Sequence, residues 1–305
     1  MGAILLFFAL SAFAFAESGT SSRALRIGYL RGDPEAQLAP AVFSALRSHL
    51  LAHPGVTRTL PQAGLDGVVV LASDSHQDLV QRMDAGEFDL VFASSMDYVS
   101  QVGPYEALFQ LRRPRDRFDP QGERVYHSGI LFVNYRHPLF REDAIAPAKA
   151  ARALLDTDMA MVSSFSAAGY IYPVLRLASL TSDTLPVRIV FCDSPEEVVK
   201  HVVNGVYDAG ACDAGVLEEV LAAAGLTDQR DALLRVVLET DPIPADPVAV
   251  RTDWLPRNSE LGRELRDALR QFFTGRPDLP RLQAANDANF DDLRRNLARL
   301  RQLRQ

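Results

Sequence analysis

Residues 67–93 read GVVVLASDSHQDLVQRMDAGEFDLVFA, and the division of that run decides the fold. Gly67 to Ala72 is nearly continuous apolar sequence, the pattern of a strand covered on both faces. Ser73, Asp74 and Ser75 supply the short oxygen side chains that cap a helix start. His76 to Ala85 then has helical spacing, and Gly86 closes it. Asp89 to Ala93 returns to a β run. Upstream, Leu25 to Leu30 reads as a strand, and Ala39 to Leu51 as a helix with Val42, Phe43, Leu46 and Leu50 on one face. The order is βαβαβ, which implies a mostly parallel sheet.

A second series of the same kind lies downstream. Strands are expected at Ser128–Val133, Met159–Val162, Val187–Phe191 and Tyr207–Cys212, with helices at Gly169–Leu180, Glu196–Val203 and Val216–Ala224. Leu233–Leu238 and Pro247–Val250 read as returning strands. Helical pattern is then expected at Ser259–Phe273, Arg281–Ala285 and from Phe290 to the end. Between the series, Arg112 to Gly122 is rich in charge and proline, as a crossing between domains would be. Two α/β domains also suit a chain of 305 residues, which is long for one core.

A net charge of −7 argues against nucleic acid or an anionic membrane surface as partner. Lys149 and Lys200 are the only lysines, and the arginines do not gather around a nucleic-acid motif. Met1 to Ala16 is apolar and uncharged, and ends in Ala14-Phe15-Ala16, a small-x-small cleavage pattern. It is shorter than the roughly 20 residues a membrane span needs. The expectation is a signal peptide over 1–16 and a periplasmic mature chain.

Ser166-Ala167-Ala168-Gly169-Tyr170-Ile171-Tyr172-Pro173 resembles a motif of the phosphonate/phosphite-type periplasmic solute-binding proteins of ABC transporters. There a serine-rich turn is followed by Gly, an aromatic, two apolar residues and Pro. Val80–Val91, Val198–Ala211 and the Pro242–Val248 segment (PIPADPV) resemble further family segments in the same order. The likeness runs from about Leu25 to about Arg281. It implies a type II periplasmic-binding-protein fold: two βαβ-type domains, mostly parallel sheets and a ligand cleft between them. Residues 24–118 with 244–305 would form the first domain and 119–243 the second. The resemblance also puts the Met159–Val162 strand between those ending at Cys192 and Cys212. Strands about 4.8 Å apart would then hold the thiols too far apart to bridge. Free thiols are favoured over a disulfide.

Departures from the family concentrate in the expected site. Hydroxyls at three successive positions of the family turn fall on Ser166, Ala167 and Ala168, the family histidine falls on Pro195, and two family tyrosines fall on His76 and Ala93. Tyr126 keeps a family tyrosine. The Ser163–Gly169 loop opens a helix, whose free N–H groups and dipole suit an anion. Ser164 and Ser166 are therefore candidate ligand contacts, or simply caps. Gly169, Phe165, His76, Tyr98, Tyr126 and Asp213 complete the candidates, because they fall near strand ends or helix starts. Fewer side-chain donors point away from a dianionic phosphonate head and toward a singly charged group on a larger solute.

The function implied is capture of a small anionic solute by a monomer for the membrane permease of an ABC transporter, without cofactor or metal. Service to a sensor kinase is the alternative. An enzyme on the same fold is the rival of another class, though the sequence has no nucleophile elbow, Walker A lysine or His-Glu-x-x-His.

Overall fold

The computed structural model describes residues 23–32, 38–112, 126–254 and 256–305. The apolar run Met1–Ala16, the crossing beyond Arg112 and the boundary at 118–119 lie outside the described residues.

The first lobe begins with β1 (Ala24–Leu30), α1 (Pro40–Ala52), α2 (Pro54–Thr59), β2 (Gly67–Ser73), α3 (His76–Asp84), β3 (Leu90–Phe92), α4 (Ser95–Ser100) and β4 (Tyr105–Arg112). The chain then builds the second lobe from β5 (Tyr126–His127), β6 (Gly129–Asn134), α5 (Pro147–Leu155), β7 (Met159–Met161), α6 (Tyr172–Leu180), β8 (Ile189–Phe191), α7 (Pro195–Val203), β9 (Ala209–Asp213), α8 (Ala214–Ala223), α9 (Arg230–Leu233) and β10 (Leu234–Glu239). It returns through β11 (Ile243–Pro244) to β12 (Pro247–Arg251), α10 (Ser259–Thr274), β13 (Arg281–Ala284) and α11 (Asp291–Leu303).

The first sheet has the order β13-β4-β12-β3-β1-β2 and the second β10-β6-β9-β7-β8. β1 runs parallel with β2 and β3, and β7 with β8 and β9, while β12 pairs antiparallel with β3 and β6 antiparallel with β9. β5 and β11, on the crossings between lobes, pair with each other, His127 opposite Ile243.

The apolar strands are explained by burial on both faces. Leu90, Phe92, Val248 and Val250 pack with α1, α2 and α10, while Val91 and Ala249 face Leu79, Met83 and Tyr98 of α3 and α4. In the second lobe, Leu131, Val133, Met159 and Met161 meet α5 and α6, and Ile130, Phe132 and Ala160 meet α7 and α8. Alternate side chains of a strand point to opposite faces, so both must be apolar.

One sequence expectation changes here. Arg281–Ala284, expected as part of a helix, is a strand paired antiparallel with β4, Leu282 opposite Leu111. Proline at 280 biases Leu279 away from helical backbone, and the open edge of β4 supplies hydrogen-bond partners. Residues 244–305 were expected in the first domain, and α11 touches the cores of both lobes. Phe290 stays in the first lobe's core, while Leu293 and Leu300 are buried in the second. β7 does lie between β8 and β9, and Cys192 and Cys212 are not bridged to each other.

Candidate functional site

The site is built from the carboxyl ends of strands in both sheets, where open α/β sheets form their crevices. On the first lobe, Ser75 caps α3 by accepting from the Asp78 N–H at 3.1 Å, which sets His76 in the first turn. His76 Nδ1 lies 2.9 Å and 3.0 Å from the two carboxylate oxygens of Asp97. Asp97 is wholly buried, and Ser94 donates a further hydrogen bond to it at 2.8 Å while capping α4. Asp246, from the Pro-rich return segment, accepts from the Ser95 N–H at 2.9 Å. The return segment thus holds the same helix start that holds His76.

The second lobe contributes the turn after β7. Ser166 is 1% exposed, and its Oγ accepts from the Gly169 N–H at 2.8 Å. Ala167 to Ile171 then forms a single π-type turn leading into α6. Gly129, at the start of β6, packs so closely that an added Cβ would lie 2.5 Å from the Ala168 carbonyl oxygen. That approach sets the turn beside the His127–Gly129 segment. There His127 Nδ1 is 2.5 Å from Asp213 Oδ2. Asp213 is 3% exposed, and its other oxygen caps α8, accepting from the Gly215 and Val216 N–H groups.

An aromatic pair joins the lobes. The His76 ring lies on the Phe165 ring with centroids 5.1 Å apart and planes inclined by 3°. Phe165 belongs to the turn after β7, so the expected loop of one lobe faces the expected helix start of the other.

The candidate residues accordingly fall into groups. His76, Phe165, Ser164, Tyr126 and Asp213 lie on the facing loops and strand ends, with Ser164 and Tyr126 exposed. Ser166 and Gly169 shape the turn from inside it. Tyr98 is not brought to them. It is fully buried, edge-on to Phe290, and its hydroxyl donates to Asp287 at 2.6 Å. A side chain enclosed on every side has no surface to offer a solute. Burial, followed by the Asp287 hydrogen bond, pushes that hydroxyl far above the usual tyrosine range. Sequence reasoning missed Asp97 and His127, although His127 adjoins the Tyr126 that was noticed. Pairing each histidine with a carboxylate requires contacts 21 and 86 residues apart in sequence.

Among the described residues, no three His, Cys, Asp or Glu side chains gather as a metal centre would need. Two α/β lobes joined by paired crossings, with a loop of one facing a helix start of the other, have the architecture of a solute-binding protein of the periplasmic type. A sequence model described as "ABC transporter, phosphonate, periplasmic substrate-binding protein" matches residues 58–295, more than half of the chain, and the chain belongs to that family. The family consists of substrate-binding proteins that serve ABC transporters.

Among solved structures, the methylphosphonate complex of PhnD1 from Prochlorococcus marinus is similar at TM-score 0.64 and 16% identity, over 92% of this chain and 99% of that one. A Xanthomonas citri protein bound to ATP is similar at 0.63 and 18%, over 93% and 100%. A phosphonate-transporter binding protein from Pseudomonas aeruginosa is similar at 0.55 and 14%, over 90% and 86%. At these identities the likeness shows the fold alone. No curated protein sequence matches the chain.

Proposed function

We propose that the chain is exported through its N-terminal segment and captures a small anionic solute between its lobes, presenting it to the permease of an ABC importer. The site would comprise His76 on the first lobe, Phe165 and the Ser163–Gly169 turn on the second, and Tyr126, His127 and Asp213 beside the crossing strands. The stack of His76 on Phe165 carries the reading: two rings from different lobes sit in register where a flat or apolar part of a solute would be clasped. Closure around a ligand by two domains on paired crossings is a familiar way of committing a solute to transport. Methylphosphonate in the Prochlorococcus relative supports an oxyanion as the class. At the His76–Asp97 pair Ser94 donates its hydroxyl hydrogen to the carboxylate, the reverse of a serine activated by histidine, so capture without chemistry is favoured over hydrolysis.

Native mass spectrometry of protein taken from the periplasm tests this directly. The expected result is a mature chain beginning near Glu17 that retains one small molecule, released unchanged on unfolding. A full-length membrane-held chain, or conversion of the released molecule on renewed incubation, would sink the proposal.

A further inference from the structure

We infer that α11 is a strap that holds the lobes near the angle at which His76 meets Phe165, before any solute arrives. The inference goes beyond the capture reading and concerns the protein without solute. Of the crossings, β5 and β11 pair over only two residues each. A ribbon that short is marginal by itself. The last helix adds a link of another kind, anchored in both lobes. Before it, Phe290 is wholly buried in the first lobe, edge-on to Tyr98 of α4. Asp287 accepts from the Tyr98 hydroxyl and pairs with Arg294, whose guanidinium lies 5.6 Å from the Tyr98 ring centroid. Leu293 and Leu300 are seven residues apart and share one face of the helix. Both are buried in the second lobe's cluster with Ile171 and Val174, and Arg299 pairs with Asp183 at 2.6 Å.

The first lobe enters the same junction through α4. Met96 is buried in the cluster that holds Leu293 and Leu300, and Val99 packs against the cores of both lobes. An apolar junction therefore runs from α4 through α11 to α6. A rotation that parts α4 from α6 must draw either Phe290 or the two leucines out of apolar surroundings and into water, which the hydrophobic effect opposes. Buried side chains of this size resist far more than the exposed Arg299–Asp183 pair does. The first-lobe anchor is also part of the clasp, because Asp97, which holds His76, precedes Tyr98 on α4. Lobes already near the clasped angle give up little population in closing.

Small-angle scattering of protein dialysed free of solute tests this with two variants. Leu300→Ala, at the second-lobe end of the strap, is expected to have a larger radius of gyration than the parent. Leu217→Ala opens a cavity in the second lobe's other cluster, which contains no residue of α11. It should lower the melting temperature yet keep the parent's radius. Equal radii for Leu300→Ala and the parent, or the same enlargement in Leu217→Ala, overturns the inference. Hydrogen exchange on the unaltered protein keeps the test open if a variant misfolds. Amides of residues 297–303 should exchange at least about a hundredfold more slowly than in a free peptide. Exchange there at free-peptide rates overturns the inference whatever the variants do. Neither measurement uses a solute, so its retention in native mass spectrometry decides the capture reading separately.

Discussion

At Gly169 an ideal Cβ would lie 2.3 Å from Val162 Cγ2 and 2.7 Å from Ser166 Oγ, the atom that caps this turn. Both neighbours are buried and already engaged, so neither can yield cheaply. Gly169→Ala should cost about 1–3 kcal/mol through overpacking. Urea denaturation measures it, and an unshifted midpoint would mean that the turn can open. Ser166 follows the same logic: with its Oγ on the Gly169 N–H and 1% exposure, it builds the turn and stands behind the surface that Ser164 and Phe165 present.

The last helix is the element whose role differs most from its sequence position. At its start, Asp287 accepts from Tyr98 and pairs with Arg294 at 2.6 Å, tying α11 to α4 in the first lobe. Further along, Leu293 and Leu300 enter the second lobe's core, Arg299 pairs with Asp183, and Arg304 lies over the Tyr170 ring. The helix is a strap between α4 of the first lobe and α6 of the second. Partial burial pushes the Asp287 carboxyl up, but hydrogen bonds from Arg294 and Tyr98 outweigh this and hold it below the usual range. A carboxyl depressed in the folded state stabilises fully above its unfolded pKa, near 4, and loses that contribution as pH falls through the folded value. Unfolding measured from pH 5 down to pH 2 should therefore cost the parent more stability than Asp287→Asn. Equal losses would show that this cluster does not anchor the strap.

For the molecule as a whole, closure depends on how the lobes touch. The His76–Phe165 stack is a side-chain contact from one lobe's loop to the other's helix start, and an aromatic pair of this kind is worth about 0.5–1.5 kcal/mol. Phe165→Ala should shift the solute-free population toward open forms and weaken capture by about two- to tenfold. Small-angle scattering would register it as a larger radius of gyration without solute that contracts once solute is added. A radius equal to the parent's in both conditions would mean that the strap and crossings set the lobe angle without the stack.

Local pattern by itself determined the two βαβ series, the capped start of α3 and the turn before Gly169. Those features depend on neighbours a few residues away: apolar runs, short oxygen side chains and glycine at fixed offsets. That Cys192 and Cys212 do not bridge followed once strand order was assumed. Strand β13 was not legible, because Arg281–Ala284 is extended only where the edge of β4 receives it. Neither was the crossing of α11, whose apolar face at Leu293 and Leu300 fits either lobe until packing chooses. Tyr98 was displaced for the same reason, since only the fold shows that Phe290 and Asp287 enclose it. The pairs His76–Asp97 and His127–Asp213 came from tertiary structure alone. Hydrogen bonds between distant side chains leave no period in a sequence, and the chain must fold before either carboxylate is buried beneath its histidine.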